Sequence, residues 1–225
     1  MKPKGRLFVV ATPIGNLEDI TLRAIKILKE VEAIACEDTR QTLKLLNTYN
    51  LKKRLISYFK PREHQKIPEI MNLLNSGQDV ALVSDAGTPG ISDPGFPLIR
   101  EAIKQGIQVI PVPGPSALTA ALSASGLPTS RILFVGFPPP KKGALKNFLT
   151  RLADEEGTMV FFLPMRRVRE FITLAYEVFG PRRAVLAREL TKVHEEFIRG
   201  SLENLLRDLT EEKFKGEATL LIEGK

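Results

Sequence analysis

Short apolar runs of strand length alternate with segments whose apolar residues recur at helical spacing, and this alternation restricts the fold more than any other feature of the sequence. Phe8–Ala11, Val31–Cys36, Arg54–Tyr58, Val80–Val83 and Gln108–Val112 read as strands. Between them, helices are marked by Leu22, Ile25 and Leu28, by Leu43 and Leu46, by Ile67, Ile70, Leu73 and Leu74, and by the stretch from Leu98 to Lys104. Strands linked through helices lie parallel, with the helices on the sheet faces, so the first half predicts a parallel α/β sheet. The pattern restarts with an Ala-rich helix at Ala117–Ala124, a strand at Ile132–Val135, a helix at Leu145–Leu152, a strand at Met159–Leu163 and a helix at Val168–Val178. Three further strands, Ala184–Arg188, Glu195–Gly200 and Ala218–Glu223, are close enough in sequence to pair antiparallel, which predicts a mixed second sheet. The fold class is therefore α/β, with two α/β domains, residues 1–114 and 115–225.

The loops of the first domain are unequal. Those entering strands, such as Asn75 to Gln78, have plain turn chemistry. Those leaving strands are Thr12 to Asn16, Glu37 to Arg40, Ser84 to Gly95 and Pro113 to Ser116. The third of these holds three glycines, two prolines and two aspartates, far more than a βα connection of about 2–6 residues needs. In a parallel sheet, loops that follow strands share the carboxyl edge, where open α/β sheets bind ligands. A ligand site on that edge follows.

Several chemistries are excluded. The first loop lacks Gly-x-Gly-x-x-Gly, no Gly-x-x-x-x-Gly-Lys-Ser/Thr occurs, and no Gly-x-Ser-x-Gly elbow nominates a serine nucleophile. Prolines at 89, 94, 113 and 115 remove amide donors that a phosphate cradle would use, so the loops suit a zwitterionic or cationic ligand better than a triphosphate. The single cysteine, Cys36, permits no internal disulfide and no cysteine-cluster metal site, and His64 and His194 are far apart in sequence. A small buried side chain is the simplest reading of Cys36, and a reduced cytoplasmic protein without a structural metal is expected. Behind Lys2, Lys4 and Arg6, the apolar run Leu7 to Ala11 is too short for a signal-peptide core, and no segment approaches the ~20 apolar residues of a membrane span. A net charge of +7 favours a polyanionic partner. Basic residues cluster at Lys52 to Arg54, Lys60 and Arg62, Lys141 and Lys142, Arg166 to Arg169, and Arg182 and Arg183, a distribution compatible with a groove that follows RNA.

Ala11 to Thr21 (ATPIGNLEDIT), Cys36 to Arg40 (CEDTR), Ser84 to Gly95 (SDAGTPGISDPG), Val112 to Ala117 (VPGPSA), Gly136 to Pro139 (GFPP) and Arg188 to Glu196 (RELTKVHEE) together closely resemble the bacterial small-subunit ribosomal RNA 2′-O-methyltransferases, which modify a cytidine ribose and have the tetrapyrrole-methylase fold. The resemblance implies S-adenosylmethionine in a cleft between two α/β domains, 16S ribosomal RNA as substrate, and a homodimer. It places the cofactor against Pro13, Ile14, Ser84, Asp85, Ala86, Ile91, Ser116 and Ala117, with Leu163 and Ala218 from the second domain. Thr12 and Asn16 stand where the wider superfamily has glycine and aspartate, which argues against a tetrapyrrole substrate. Many relatives carry a further helical segment beyond the position of Lys225, so RNA docking is expected to fall to the core's own Lys and Arg.

A ribose hydroxyl is a poor nucleophile, so methyl transfer to it gains from alignment, a base, or a charge that stabilises the alkoxide. Asp38 and Arg40, with Glu37, are the candidates on the first domain, and Glu189, Lys192 and His194 on the second. Asp38 and Arg40 read equally as an ion pair that fixes the loop. Lys192 could hold a phosphate, and His194 reads more simply as a surface residue. A tetrapyrrole or other small-molecule methylase, and a non-catalytic RNA-binding module, remain alternatives on the same fold.

Overall fold

The computed structural model describes residues 3–209 and 216–225, so Lys2 lies outside the described residues. The chain divides into two compact units, Met1–Ser116 and Ala117–Lys225.

The first unit contains strands β1 (Arg6–Val10), β2 (Ala33–Cys36), β3 (Arg54–Ser57), β4 (Val80–Val83) and β5 (Gln108–Val112), with helices α1 (Leu22–Glu30), α2 (Thr39–Thr48), α3 (Glu63–Asn75) and α4 (Phe96–Lys104) between them. The sheet is parallel throughout, in the order β3-β2-β4-β1-β5. Alternate residues of each strand face opposite sides. Leu7, Ala33, Ala35, Val80 and Leu82 pack beneath α3 and α4, while Phe8, Val10, Ile34, Ala81 and Val83 pack beneath α1 and α2. This two-sided burial explains why β4 reads as an unbroken apolar run: all four of its residues are buried. Cys36 is fully buried, and burial pushes its thiol above the usual range.

The second unit contains α5 (Ala117–Ser125), β6 (Ile132–Gly136), α6 (Lys142–Arg151), β7 (Thr158–Pro164), α7 (Val168–Phe179), β8 (Arg183–Arg188), β9 (Glu196–Ser201), α8 (Leu202–Asp208) and β10 (Glu217–Ile222). Its sheet is mixed, ordered β6-β7-β10-β8-β9, with β6 and β7 parallel and the remaining pairs antiparallel. One face carries Met159, Phe161, Leu163, Leu186 and Leu220 against α6, α7 and α8. The sequence reading missed α8. Its signals are short but present, since Ser201 caps it by accepting the Asn204 N–H, and Leu202 and Leu205 recur at helical spacing on its buried side. Among the described residues no helix is long and apolar enough to cross a membrane.

Candidate functional site

The sheet order brings the four glycine-, proline- and aspartate-bearing loops into one row. β4 lies between β2 and β1, and β5 lies beyond β1, so the loop at 84–95 leaves the carboxyl edge with 37–40 on one side and 12–16, then 113–116, on the other. Backbone and side chains stitch this row together. The Thr12 N–H donates to the Gly87 carbonyl at 2.9 Å and the Gly87 N–H donates to the Thr12 carbonyl at 3.0 Å, an isolated bridge between the first and third loops. The buried Thr12 hydroxyl donates to the Ser84 carbonyl at 3.0 Å. The sequence marks Thr12 as the start of the first loop and as a departure from glycine, whereas its structural role depends on a residue 72 positions away.

Ser84 is 3% exposed and its hydroxyl turns inward to the Gly87 carbonyl at 3.3 Å, so it shapes the loop through its side chain. Asp85, Ala86 and Ile91 are exposed on the loop, and Pro13, Ile14, Ser116 and Ala117 are half-buried. The loop is left-handed at Gly87, Gly90, Ser92 and Gly95. At Gly87, with φ +87°, an L side chain would be strained, and an added Cβ would come 3.5 Å from Ile14 Cγ2.

On the neighbouring loop, Asp38 caps α2 by accepting the Arg40 N–H at 2.8 Å. Arg40 donates to the same carboxylate through Nε at 3.1 Å and through a terminal nitrogen at 2.7 Å. These bonds hold the Asp38 carboxyl down at about 2. The Asp38 N–H in turn donates to Asp85 Oδ1 at 3.0 Å, which ties the second loop to the third. Asp85 and the half-buried Glu37 behave oppositely: desolvation, with the nearby Asp38 charge, raises Asp85, and desolvation, with the Asp85 and Asp93 charges, raises Glu37. The row therefore holds one strongly acidic carboxyl, locked to an arginine whose side chain is 84% exposed, beside two carboxyls shifted towards the protonated form.

Four candidates of the second unit, Leu163, Ala218, Glu189 and Lys192, are linked through the start of β10. Leu163 and Ala218 are cross-strand partners on β7 and β10, both buried. Gly216, immediately before β10, accepts the Met165 N–H at 2.9 Å, and the Glu189 carboxylate occupies the space where a Gly216 side chain would begin. Glu189 pairs with Lys192 at 3.2 Å, in a loop with left-handed backbone at Glu189 (φ +50°) and Thr191 (φ +64°). His194 is exposed. Gly216→Ala is expected to destabilise the unit by about 1–2 kcal/mol or more, through strain at φ +87° and displacement of the Glu189 carboxylate. Urea unfolding at constant m-value measures the loss, and an unchanged midpoint would remove this account of the glycine.

The basic clusters divide by what the structure does with them. Arg167 donates to the Pro139 and Pro140 carbonyls at 3.1 and 3.0 Å, Arg169 to the Leu209 carbonyl, and Arg182 to the Ala153 carbonyl while lying over the Phe179 ring. Lys53 donates to the Val31 carbonyl and Arg54 pairs with Glu69. These side chains hold backbone or carboxylates. Lys141, Lys142 and Arg166 are exposed, and the Arg167 bonds draw their two loops together beyond the parallel strands β6 and β7. Among the described residues no group of three or more His, Cys, Asp or Glu is arranged to hold a metal ion.

Comparison with known proteins places this geometry. The model of the tetrapyrrole (corrin/porphyrin) methylases matches residues 6–206. A ribosomal RNA small subunit methyltransferase I from Thermotoga maritima is 46% identical over 98% of this chain and 99% of its own length. One of the same name from Halalkalibacterium halodurans is 45% identical over 98% of this chain and 76% of its own length. Among solved structures, the native uroporphyrin III C-methyltransferase from Thermus thermophilus superposes with a TM-score of 0.66 at 19% identity, covering 97% of each chain, which is a likeness of fold. With the family model covering most of the chain and near-complete alignment to relatives above 40% identity, this chain belongs to the tetrapyrrole (corrin/porphyrin) methylase family.

Proposed function

We propose that this protein transfers a methyl group from S-adenosylmethionine to the 2′-oxygen of a cytidine ribose in small-subunit (16S) ribosomal RNA. The observation that carries the proposal is identity of 45–46% to relatives named ribosomal RNA small subunit methyltransferase I, over a span of 98% of the chain. The fold does not discriminate, because proteins named for uroporphyrin and cobalt precorrin share it.

The carboxyl-edge loops suit this cofactor by their chemistry. Asp85 offers an exposed carboxylate to an ammonium or a ribose diol, while Ile14, Ala86 and Ile91 offer apolar surface to an adenosyl group. Pro13, Pro89, Pro113 and Pro115 carry no amide N–H, which leaves few donors for a triphosphate. When bound, S-adenosylmethionine supplies a methyl group activated by a positive sulfur. The chain must align the ribose hydroxyl and provide for its proton and developing charge. In this reading Arg40, oriented by Asp38, stabilises the forming alkoxide. Glu37, raised by burial and by neighbouring carboxylates, is a better proton acceptor than Asp38, whose carboxyl is held at about 2. Glu189 and Lys192 are proposed to support the same reaction as a charge pair on the second unit.

The test is transfer of tritium from labelled S-adenosylmethionine to small ribosomal subunits, to free small-subunit RNA and to a porphyrinogen. Label in the RNA, at a ribose, is the expected result. Label in the porphyrinogen with none in either RNA sample would replace the RNA reading with the tetrapyrrole one. RNA binding offers a second check, because neutralising phosphates makes affinity depend on salt. Lys141→Glu with Lys142→Glu and Arg166→Glu is expected to weaken RNA binding and to lower the salt slope by roughly 0.7–0.9 for each phosphate no longer neutralised. Cofactor affinity should stay as in the wild type. An RNA affinity indifferent to salt and to these reversals would remove the electrostatic support.

A further inference from the structure

A concave site lies wholly within the second unit. It is a cavity of about 420 Å³ between the C-terminal end of α5 and the β8–β9 edge, lined by Ala124, Gly126, Arg183, Val185 and Arg199 among others. The strand register explains the chemistry of its wall. Val185 pairs with Arg199 across β8 and β9, and Arg183 lies two residues before Val185, so both arginines share the face that α5 covers.

Each guanidinium is anchored on a carbonyl at the helix end. Arg199 donates to the Ala124 carbonyl at 2.6 Å, and Arg183 to the Gly126 carbonyl at 3.4 Å. Positive charge at a helix C-terminus is favourable, and here it also covers the carbonyls that would repel an anion. The turn beneath is fixed. The Ser125 hydroxyl donates to the Leu122 carbonyl at 2.9 Å and accepts the Leu127 N–H at 3.1 Å. Arg199 is steadied by the Phe197 ring, 4.8 Å from its guanidinium carbon. A Cβ built on Gly126 meets no atom within 4 Å, so the mouth is open. The opposing charge is Glu223, 3.7 Å from Arg183, which offsets one cation and leaves the cavity positive.

An arginine fork presents five N–H donors, and the helix carbonyls engage only part of each fork. Two such forks, held on one wall of a space large enough for more than a single small anion, match a phosphodiester with its attached ribose. We infer that this cavity is a backbone subsite for RNA, binding a phosphate and its sugar. The inference rests on the RNA reading of the function. It adds a positively charged site built from residues other than those of the cofactor loops.

The test uses the full chain and a small-subunit ribosomal RNA fragment, with binding followed by anisotropy across a salt series. Arg183→Gln with Arg199→Gln is expected to weaken RNA binding several-fold and to lower the salt slope by about 0.7, the value for one neutralised phosphate of a single strand. Oligomeric state and cofactor affinity should match the wild type, and the chain should stay folded with a melting temperature lowered modestly by the lost helix-end bonds. Arg183→Lys with Arg199→Lys is expected to restore the slope while recovering only part of the affinity, because lysine lacks the planar fork. Wild-type affinity and slope in the Gln pair would overturn the subsite while leaving the RNA reading standing. So would weakened binding that appears only with a changed oligomeric state, since that would assign the cavity to contact between copies. Displacement by inorganic phosphate without any loss of RNA affinity in the Gln pair would reassign it to a free anion. A wild-type chain that binds RNA with no salt dependence would instead remove the function on which the subsite depends.

Discussion

Arg40→Ala is expected to lower turnover by about a hundredfold or more while changing cofactor affinity by no more than a few-fold. That magnitude is typical for loss of one charge or donor aimed at a developing oxyanion. The structure supports the asymmetry. Arg40 has an exposed side chain, so deleting it removes little packing, whereas its two bonds to Asp38 fix where its charge stands. Asp38→Asn separates positioning from capping, because asparagine still caps a helix but no longer pairs with the guanidinium. This variant should retain wild-type melting, lose part of the turnover, and raise KM less than it lowers kcat. Asp38→Ala should lose turnover similarly and also loosen the start of α2. The pair has a defined pH range. The folded Asp38 carboxyl is held at about 2, below an unfolded value of about 3.9, so its contribution is complete above the unfolded value and is lost as pH falls through about 2. An acid limb of the rate profile near 4 would not come from Asp38. Equal losses in turnover and cofactor affinity in Arg40→Ala would return the pair to a loop-fixing role.

The second large effect concerns the loop after β4. Gly87→Val is expected to weaken cofactor binding by about five- to thirtyfold, and Ala86→Phe to abolish it, by different routes. At Gly87, φ is +87° and both backbone groups bond to Thr12, so a β-branched residue must move the chain or break the bridge. Strain of about 1–2 kcal/mol, relieved by shifting the loop, corresponds to about a five- to thirtyfold change in affinity. Some stability is lost as well. Ala86 is exposed, so a phenylalanine there is expected to fill ligand space and to leave the melting temperature unchanged. Calorimetric titration with S-adenosylmethionine distinguishes the two routes. Wild-type affinity in both variants would remove the central loop from the cofactor site.

Salt and charge reversal address the partner in the same way that these variants address the chemistry, and the structure narrows which charges matter. Arg167 would have been an obvious target by sequence, but its side chain is 19% exposed and its guanidinium is bonded to two proline carbonyls, so reversing it would damage the fold. Arg166, its neighbour, is exposed and suits the experiment.

Local patterns in the sequence were enough to determine the alternation of strands and helices, the parallel first sheet, the mixed second sheet and the edge on which the unusual loops gather. Periodicity reports which face of a segment is buried, and a strand–helix–strand order fixes strand direction. These properties are carried by residues within a few positions of one another. Tertiary structure alone decided that β4 inserts between β2 and β1, because strand order depends on how whole βα units pack and leaves no local trace. That insertion sets the Asp38 amide on the Asp85 carboxylate, closes the Thr12–Gly87 bridge and assembles the Glu37–Asp85–Asp93 neighbourhood that raises two carboxyls while Arg40 lowers a third. The same holds for the arginines, which look alike in the sequence. Whether one grips a carbonyl, as Arg167 does, or lines a cavity, as Arg183 and Arg199 do, depends on backbone brought up from distant parts of the chain.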